Sequence, residues 1–177
     1  MNYYISKVPS RSVDHLTAAI PGAVVLEDRG LGAMKAFAWY LQCAGNGAHV
    51  RLEDDISLCS RFVEKCEAAI ARYPSSMISF FTLKKLEASK FVNGSTFCMN
   101  QCVYMPAGLA PAILRFYEAG WMDDPSGYDY MMADYLTSVG KKYLLWYPNL
   151  VQHQQVKSAI DPRRSKFRQS KCFDLSE

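Results

Sequence analysis

Within 177 residues, half of them apolar, no hydrophobic run approaches the roughly 20 residues that a membrane-crossing helix requires. The opening MNYYISKVPSR has no apolar signal-peptide core either, so a soluble cytoplasmic protein is expected. Six cysteines are scattered without a CxxC pair, which argues against a structural zinc site and a disulfide framework; they read as buried hydrophobes or free thiols. Internal repeats and low-complexity linkers are also absent. One domain spanning residues 1–177 is expected, with enough apolar content to bury a substantial core.

Charge is nearly balanced, and its distribution says more than its total of +3. Residues 1–156 carry fourteen basic and fourteen acidic side chains, so the whole excess lies in the basic C-terminal segment 157–177, KSAIDPRRSKFRQSKCFDLSE. Such a cluster suits phosphates, an anionic membrane surface or a nucleic-acid backbone.

The pattern along the chain alternates. NYYIS is rich in aromatic and β-branched residues, as strands are. SRSVDHLTAAI sets Val13, Leu16, Ala19 and Ile20 at helical spacing before Pro21-Gly22. AVVLED predicts a buried strand ending in acid, and GLGAMKAFAWYLQCAGNG a helix stopped by Gly-Asn-Gly. AHVRLEDD repeats the strand-then-acid arrangement, and SLCSRFVEKCEAAIARYP predicts a helix with Phe62, Cys66 and Ile70 on one face. Strands alternating with helices predict an α/β, Rossmann-type single domain with a mostly parallel central sheet flanked by helices. Farther on, MISFFT reads as a strand, KKLEASKFVNGS as a polar excursion, and TFCMNQCVYMP as one or two strands. AGLAPAILRFYEAG and GYDYMMADYLTSVG read as helices, and KKYLLWYPNLVQH as a strand running into a loop.

Ligands of such sheets sit beyond the carboxyl ends of the strands. Both acidic turns, Glu27-Asp28 and Glu53-Asp54-Asp55, fall there. Aligned carboxylates suit a hard divalent cation, magnesium or manganese, that leaves positions open for a substrate's phosphates. The alternative is an acidic cap on the next helix, with Asp55 or Ser57 taking its free amides. Asn100 and Gln101, set among apolar residues, are either structural amides or readers of ligand hydroxyls.

EDDISLCSRF resembles the DxD-type strand end of GT-A glycosyltransferases, especially the EDD segment of the family 25 lipopolysaccharide and collagen sugar transferases. Downstream, GYDYMMADYL, the strand KKYLLWYPNLVQH and then VKSAI are similar in order to family 25 and to the N-acetylglucosaminyltransferase IV family. The likeness covers most of residues 1–160, its specific parts being EDD and PNLVQH.

This resemblance implies a GT-A-like fold and transfer of a sugar from a nucleotide-diphosphate sugar to an acceptor hydroxyl, with Mn2+ or Mg2+ as cofactor. It implies Asp55, Asp54 and His153 as metal positions, with Glu53 or Asp54 on the ribose. Asp28 and Arg29 are candidates for the nucleoside, Arg11 for a nucleotide contact after the first strand, and Lys35, Lys157 and Ser158 for phosphates. If configuration inverts, a carboxylate must take the acceptor's proton; Asp129 is the first candidate, with Asp134 and Asp124 behind it. A retaining enzyme would need no such base. The acceptor is either a glycan or lipopolysaccharide, or a hydroxylated base in DNA as in phage-type enzymes, which would place the protein in the host cytoplasm. A non-catalytic nucleotide or nucleic-acid binding module is the alternative from another class.

Overall fold

Side-chain alternation in the first strand already assigns two layers. In a computed structural model, which describes residues 1–122, 127–154, 156 and 168–176, β1 (Asn2–Lys7) buries Tyr3 and Ile5 toward one layer and turns Tyr4 and Ser6 to the other. β1 is flanked by two parallel neighbours, β2 (Val24–Glu27) and β3 (His49–Glu53). The connections are helical, α1 (Asp14–Ala19) and α2 (Ala33–Ala44), as the alternating pattern requires.

β4 (Ile56–Leu58) and α3 (Phe62–Arg72) follow, then β5 (Ile78–Ser79), β6 (Lys90–Asn93) and β7 (Cys102–Met105). After α4 (Leu109–Gly120) and α5 (Tyr128–Ser138) come β8 (Lys142–Leu145) and β9 (Val151–His153). Seven strands form one sheet in the order β2-β1-β3-β7-β5-β8-β6. β7 and β6 run against their neighbours and the other five strands share one direction, so the sheet is mixed, with a parallel majority.

Two cores cover its faces. Leu16 of α1 and Phe62, Cys66, Ala69 and Ile70 of α3 pack with Ile5, Val50, Leu52, Cys102 and Tyr104. On the opposite face, α2, α4 and α5 bring Phe37, Leu41, Leu109, Ile113, Met132 and Leu136 against Val103, Met105, Tyr143 and Leu145. The α/β class and single-domain layering expected from the sequence hold.

Three local expectations change. β2 is an edge strand with Val24 and Val25 exposed, because no strand lies beyond it among the described residues, whereas AVVLED alone reads as buried. The polar KFVN of the expected excursion is the opposite edge strand, β6, and edges tolerate polar residues because one side meets water. α3 starts at Phe62 rather than near Ser57, because residues 56–58 are drawn into an antiparallel pairing with β9.

The described part of the basic C-terminal segment packs on the body. Residues 168–176 return to the body, where Asn149 N–H donates to the Cys172 carbonyl, Asp174 N–H to the Asn149 carbonyl, and Lys65 pairs with Asp174 at 2.8 Å. All six cysteines are free thiols. No helix among the described residues is long and apolar enough to cross a membrane.

Candidate functional site

β3 is a central strand with an unusual face. Val50 and Leu52 point into one apolar core, and the alternate positions His49, Arg51 and Glu53 point under α2 and α5. Burying three polar side chains in a row is costly unless each finds a partner, and each does. His49 donates from Nδ1 to the Gly47 carbonyl (2.8 Å) and accepts at Nε2 from the Tyr40 hydroxyl (2.5 Å). The Arg51 guanidinium, 3% exposed, sits about equally far from the Phe37, Tyr40 and Tyr128 rings, 5.2, 5.3 and 5.2 Å. It donates to the Asn100 carbonyl (2.9 Å) and reaches Glu53 Oε1 at 3.4 Å. Tyr128 donates to the same Glu53 oxygen at 2.5 Å. Burial by itself would weaken the Arg51 charge, but Tyr128, Glu53 and Tyr40 outweigh it and hold the guanidinium firmly protonated. Burial likewise raises the Tyr128 phenol well above its ordinary range, so it stays an O–H donor.

Beyond Glu53 the chain turns, and Asp54 and Asp55 diverge. Asp54 accepts the Val8 N–H at Oδ2 (2.7 Å) and the Arg11 guanidinium at Oδ1. The same Arg11 nitrogen reaches Asp55 Oδ2 at 3.0 Å. His153 Nε2 stands 3.4 Å from that same Asp55 oxygen. The main chain enforces this meeting of residues 98 positions apart. β4 and β9 pair antiparallel with Ile56 opposite His153, and Gln154 N–H donates to the Asp55 carbonyl at 2.7 Å. A slip of one residue would turn His153 to the opposite face.

The two imidazoles differ in a way that bears on chemistry. His153 donates from Nδ1 to the Gln154 carbonyl (2.7 Å), which leaves Nε2 directed at Asp55. At His49 the equivalent nitrogen meets an O–H donor; at His153 it meets a carboxylate, so acceptor faces acceptor unless a proton or another cation lies between them. Hydrogen bonding to Asp55 raises the His153 pKa against the opposing effect of burial, whereas burial lowers that of His49. Burial pushes Asp55 up, but His153 and then Arg11 prevail and hold its carboxyl below the usual range. Asp55 Oδ1 is buried and has no hydrogen-bond partner among the described residues.

These features fit a divalent cation. A 3.4 Å separation lets Asp55 and His153 both reach one ion at about 2.0–2.2 Å from each. The Nδ1–H bond to a carbonyl is the support a ligating histidine ordinarily has. Among the described residues no group of three His, Cys, Asp or Glu side chains could hold a metal, so an ion here takes its remaining ligands from substrate or water. Asp54, expected as a second metal carboxylate, has its oxygens engaged by Val8 and Arg11 and serves to fix Arg11 instead. Neither acid caps α3, whose N-cap is Arg61.

Other expected site residues distribute around this corner. Arg11 is at its centre. Asp28 ends edge strand β2, donates N–H to the Lys7 carbonyl (2.8 Å), and accepts from Gly30 N–H (3.0 Å) and Leu31 N–H (2.8 Å). That turn runs through Gly30 and Gly32 at φ 90° and 79°, a left-handed backbone that glycine adopts without strain. Arg29 and Lys35 are exposed beside it. Asp129 lies half-buried in the first turn of α5, next to the Tyr128 that grips Glu53. Asp134 is exposed on the same helix, about 140° around its axis from Asp129, and does not join the corner. Asp124, Lys157 and Ser158 lie outside the described residues. Arg51 escaped the sequence reading, although a charged residue between Val50 and Leu52 in a central strand, with aromatics at 37 and 40 on the covering helix, was the available signal.

The fold and site thus define an α/β protein with an acidic, histidine-bearing corner at the carboxyl end of a central strand. No family model matches the chain, and no curated protein matches it. Among solved structures it is similar to A197 from STIV, at 14% identity and a TM-score of 0.50, over 100% of this chain and 98% of that one. At this identity the likeness speaks to the fold alone.

Proposed function

We propose that this protein is a metal-dependent glycosyltransferase that moves a sugar from a nucleotide-diphosphate sugar to an acceptor hydroxyl. The observation that carries it is the facing of His153 Nε2 and Asp55 Oδ2 across 3.4 Å with Asp55 Oδ1 unsatisfied among the described residues, an arrangement that a shared cation would satisfy. The motif likeness to GT-A family 25 enzymes supports the same residues. Asp55 and His153 would hold Mn2+ or Mg2+, and nitrogen ligation favours manganese. When bound, the cation supplies neutralisation of the charge that grows on the departing diphosphate.

The chain's own residues do the rest. Arg11, clamped by Asp54 and Asp55, presents positive charge beside the diphosphate. Asp28 and Arg29, at the end of the neighbouring strand, face the nucleoside, while Lys35, Lys157 and Ser158 remain candidates for outer phosphate contacts. Asp129, set against the corner by the Tyr128–Glu53 bond, takes the acceptor's proton in an inverting reaction, with Asp124 as the alternative base. The acceptor is a glycan or lipopolysaccharide, or a hydroxylated base in DNA, reached in the cytoplasm. A mobility shift with duplex DNA that weakens steeply with salt selects the second.

Donor hydrolysis is the decisive test. Purified protein with manganese should hydrolyse one nucleotide sugar of a panel, and Asp55→Asn should abolish it. If no donor is hydrolysed, and Asp55→Asn binds nucleotides as the parent does, the protein is a binding module and the transfer proposal falls.

A further inference from the structure

Apart from Asp129, the described residues bury seven side-chain nitrogen and oxygen atoms that find no hydrogen bond among the described residues. Six of these seven belong to Ser6, Arg51, Asp55, Asn100 and Gln101, all at the carboxyl end of β1 and β3 and the strand entry opposite them. Native proteins bury few such atoms, so their concentration at one corner marks a place that expects polar company. Ser6 is the ladder partner of Glu53. Glu53 N–H donates to the Gln101 carbonyl at 2.9 Å, which carries the β3–β7 pairing one residue past Leu52–Cys102 and sets Asn100 alongside the acidic turn.

We propose that Asn100 and Gln101, with the Ser6 hydroxyl, form an amide-and-hydroxyl subsite that reads the hydroxyls of the donor's sugar; this rests on the corner being a nucleotide-sugar site. Asn100 is 1% exposed, and both its amide nitrogen and its oxygen lack partners among the described residues. It therefore offers a donor and an acceptor at one position, the complement of a hydroxyl pair on adjacent sugar carbons. Gln101, 4% exposed, adds an acceptor at Oε1, and Ser6 adds a hydroxyl that serves either way. The charged groups Arg11 and His153 gather around Asp55, where phosphates and a cation would lie. Uncharged amides suit the uncharged end of the same ligand. The unpaired amides also confer selectivity, because a sugar lacking the matching hydroxyl would leave a buried polar group unsatisfied and be rejected.

Calorimetry with manganese separates this from its parent reading. The probes are UDP, GDP, UDP-glucose, UDP-N-acetylglucosamine and GDP-mannose, titrated into the full chain, Asn100→Ala, Gln101→Ala and Asn100→Leu. The matched nucleotide sugar should bind the parent about tenfold or more tighter than its own diphosphate. In Asn100→Ala the sugar and the diphosphate should bind alike, with diphosphate affinity kept within about twofold. Asn100→Leu should lose the sugar increment while its apo Tm stays level or rises, since an unpaired buried amide has been replaced by an apolar group of similar size. If diphosphates bind but the sugar adds nothing, or both Asn100 variants and Gln101→Ala bind the nucleotide sugar as the parent does, the amides only hold structural water and the subsite is overturned while the wider proposal stands. If no diphosphate binds the parent, both fall. Should Asn100→Ala fail to fold, Gln101→Ala and Asn100→Leu carry the same comparison.

Discussion

Two strands of this sheet end in acid, and they meet opposite fates. β2 ends in Glu27-Asp28 at the sheet's edge, where Glu27 pairs with Lys7 at 2.5 Å with its side chain 43% exposed, and Asp28 spends its carboxylate on the amides of its own turn. β3 ends in Glu53-Asp54-Asp55 at the sheet's centre, where every carboxylate is engaged by a residue far away in sequence: Tyr128, Arg11 and His153. The edge turn is met by its own amides and by one lysine of the adjacent strand, and Glu27 is well solvated. The central turn is held by three separate segments, α5, the β1–α1 connection and β9, and its carboxylates are largely shielded from water. A strand-then-acid pattern becomes a site when its neighbours exclude solvent and deliver counter-charges at fixed distances.

The largest expected difference is functional. Asp55→Asn or His153→Ala should weaken manganese-dependent nucleotide binding by about 100-fold, on the scale set by loss of a metal ligand or its support, whereas Glu27→Gln should leave it unchanged; calorimetry measures all three. An equal loss in Glu27→Gln would erase the distinction between the two turns.

Stability should separate them next. Arg51→Ala removes a buried cation and strands Glu53, at about 3–5 kcal/mol, enough to move a denaturation midpoint clearly. Lys7→Ala, which breaks the partly exposed pair with Glu27, should cost no more than about 1 kcal/mol. Tyr128→Phe is intermediate: it deletes one hydrogen bond to a carboxylate, about 1–3 kcal/mol, without opening a cavity.

The smallest effect is in titration. In proton NMR, His153 should titrate above 6.5 and His49 below it. For His49 the folded form stays neutral where the unfolded chain binds a proton, so its contribution is present above pH 6.5 and is lost as pH falls through that value toward the folded pKa. Replacing it by Gln should flatten that acid limb. His153 has the opposite sign: its ion pair contributes fully below pH 6.5, and that contribution disappears as pH rises through its folded pKa.

Much of the first half is legible in the sequence. β1, β2 and β3 and the helices between them follow from runs of β-branched and aromatic residues, helical spacing and the Pro-Gly and Gly-Asn-Gly stops. The pairing of the central acidic turn with His153 was expected from motif order and occurs. Which neighbour engages each carboxylate was not legible. Asp54 and Asp55 are adjacent and chemically identical, yet one is committed to Val8 and Arg11 while the other also meets His153. Ser57 and Leu58 read as helix because their partner, β9, lies about ninety residues onward. Val24 and Val25 read as core because sequence carries no record of which strand ends the sheet.

What the chain determined by itself was local: where strands and helices form, where they stop, and that acid follows the second and third strands. Hydrophobic periodicity and turn chemistry act over a few residues, and they suffice for that. Only the tertiary structure decided that Arg51 lies buried among three aromatic rings, that the β4–β9 ladder sets an imidazole against Asp55, and that the Asn100 amide and Gln101 Oε1 are buried with no partner among the described residues. Those outcomes depend on strand order and on the exclusion of water, which arise when the layers close.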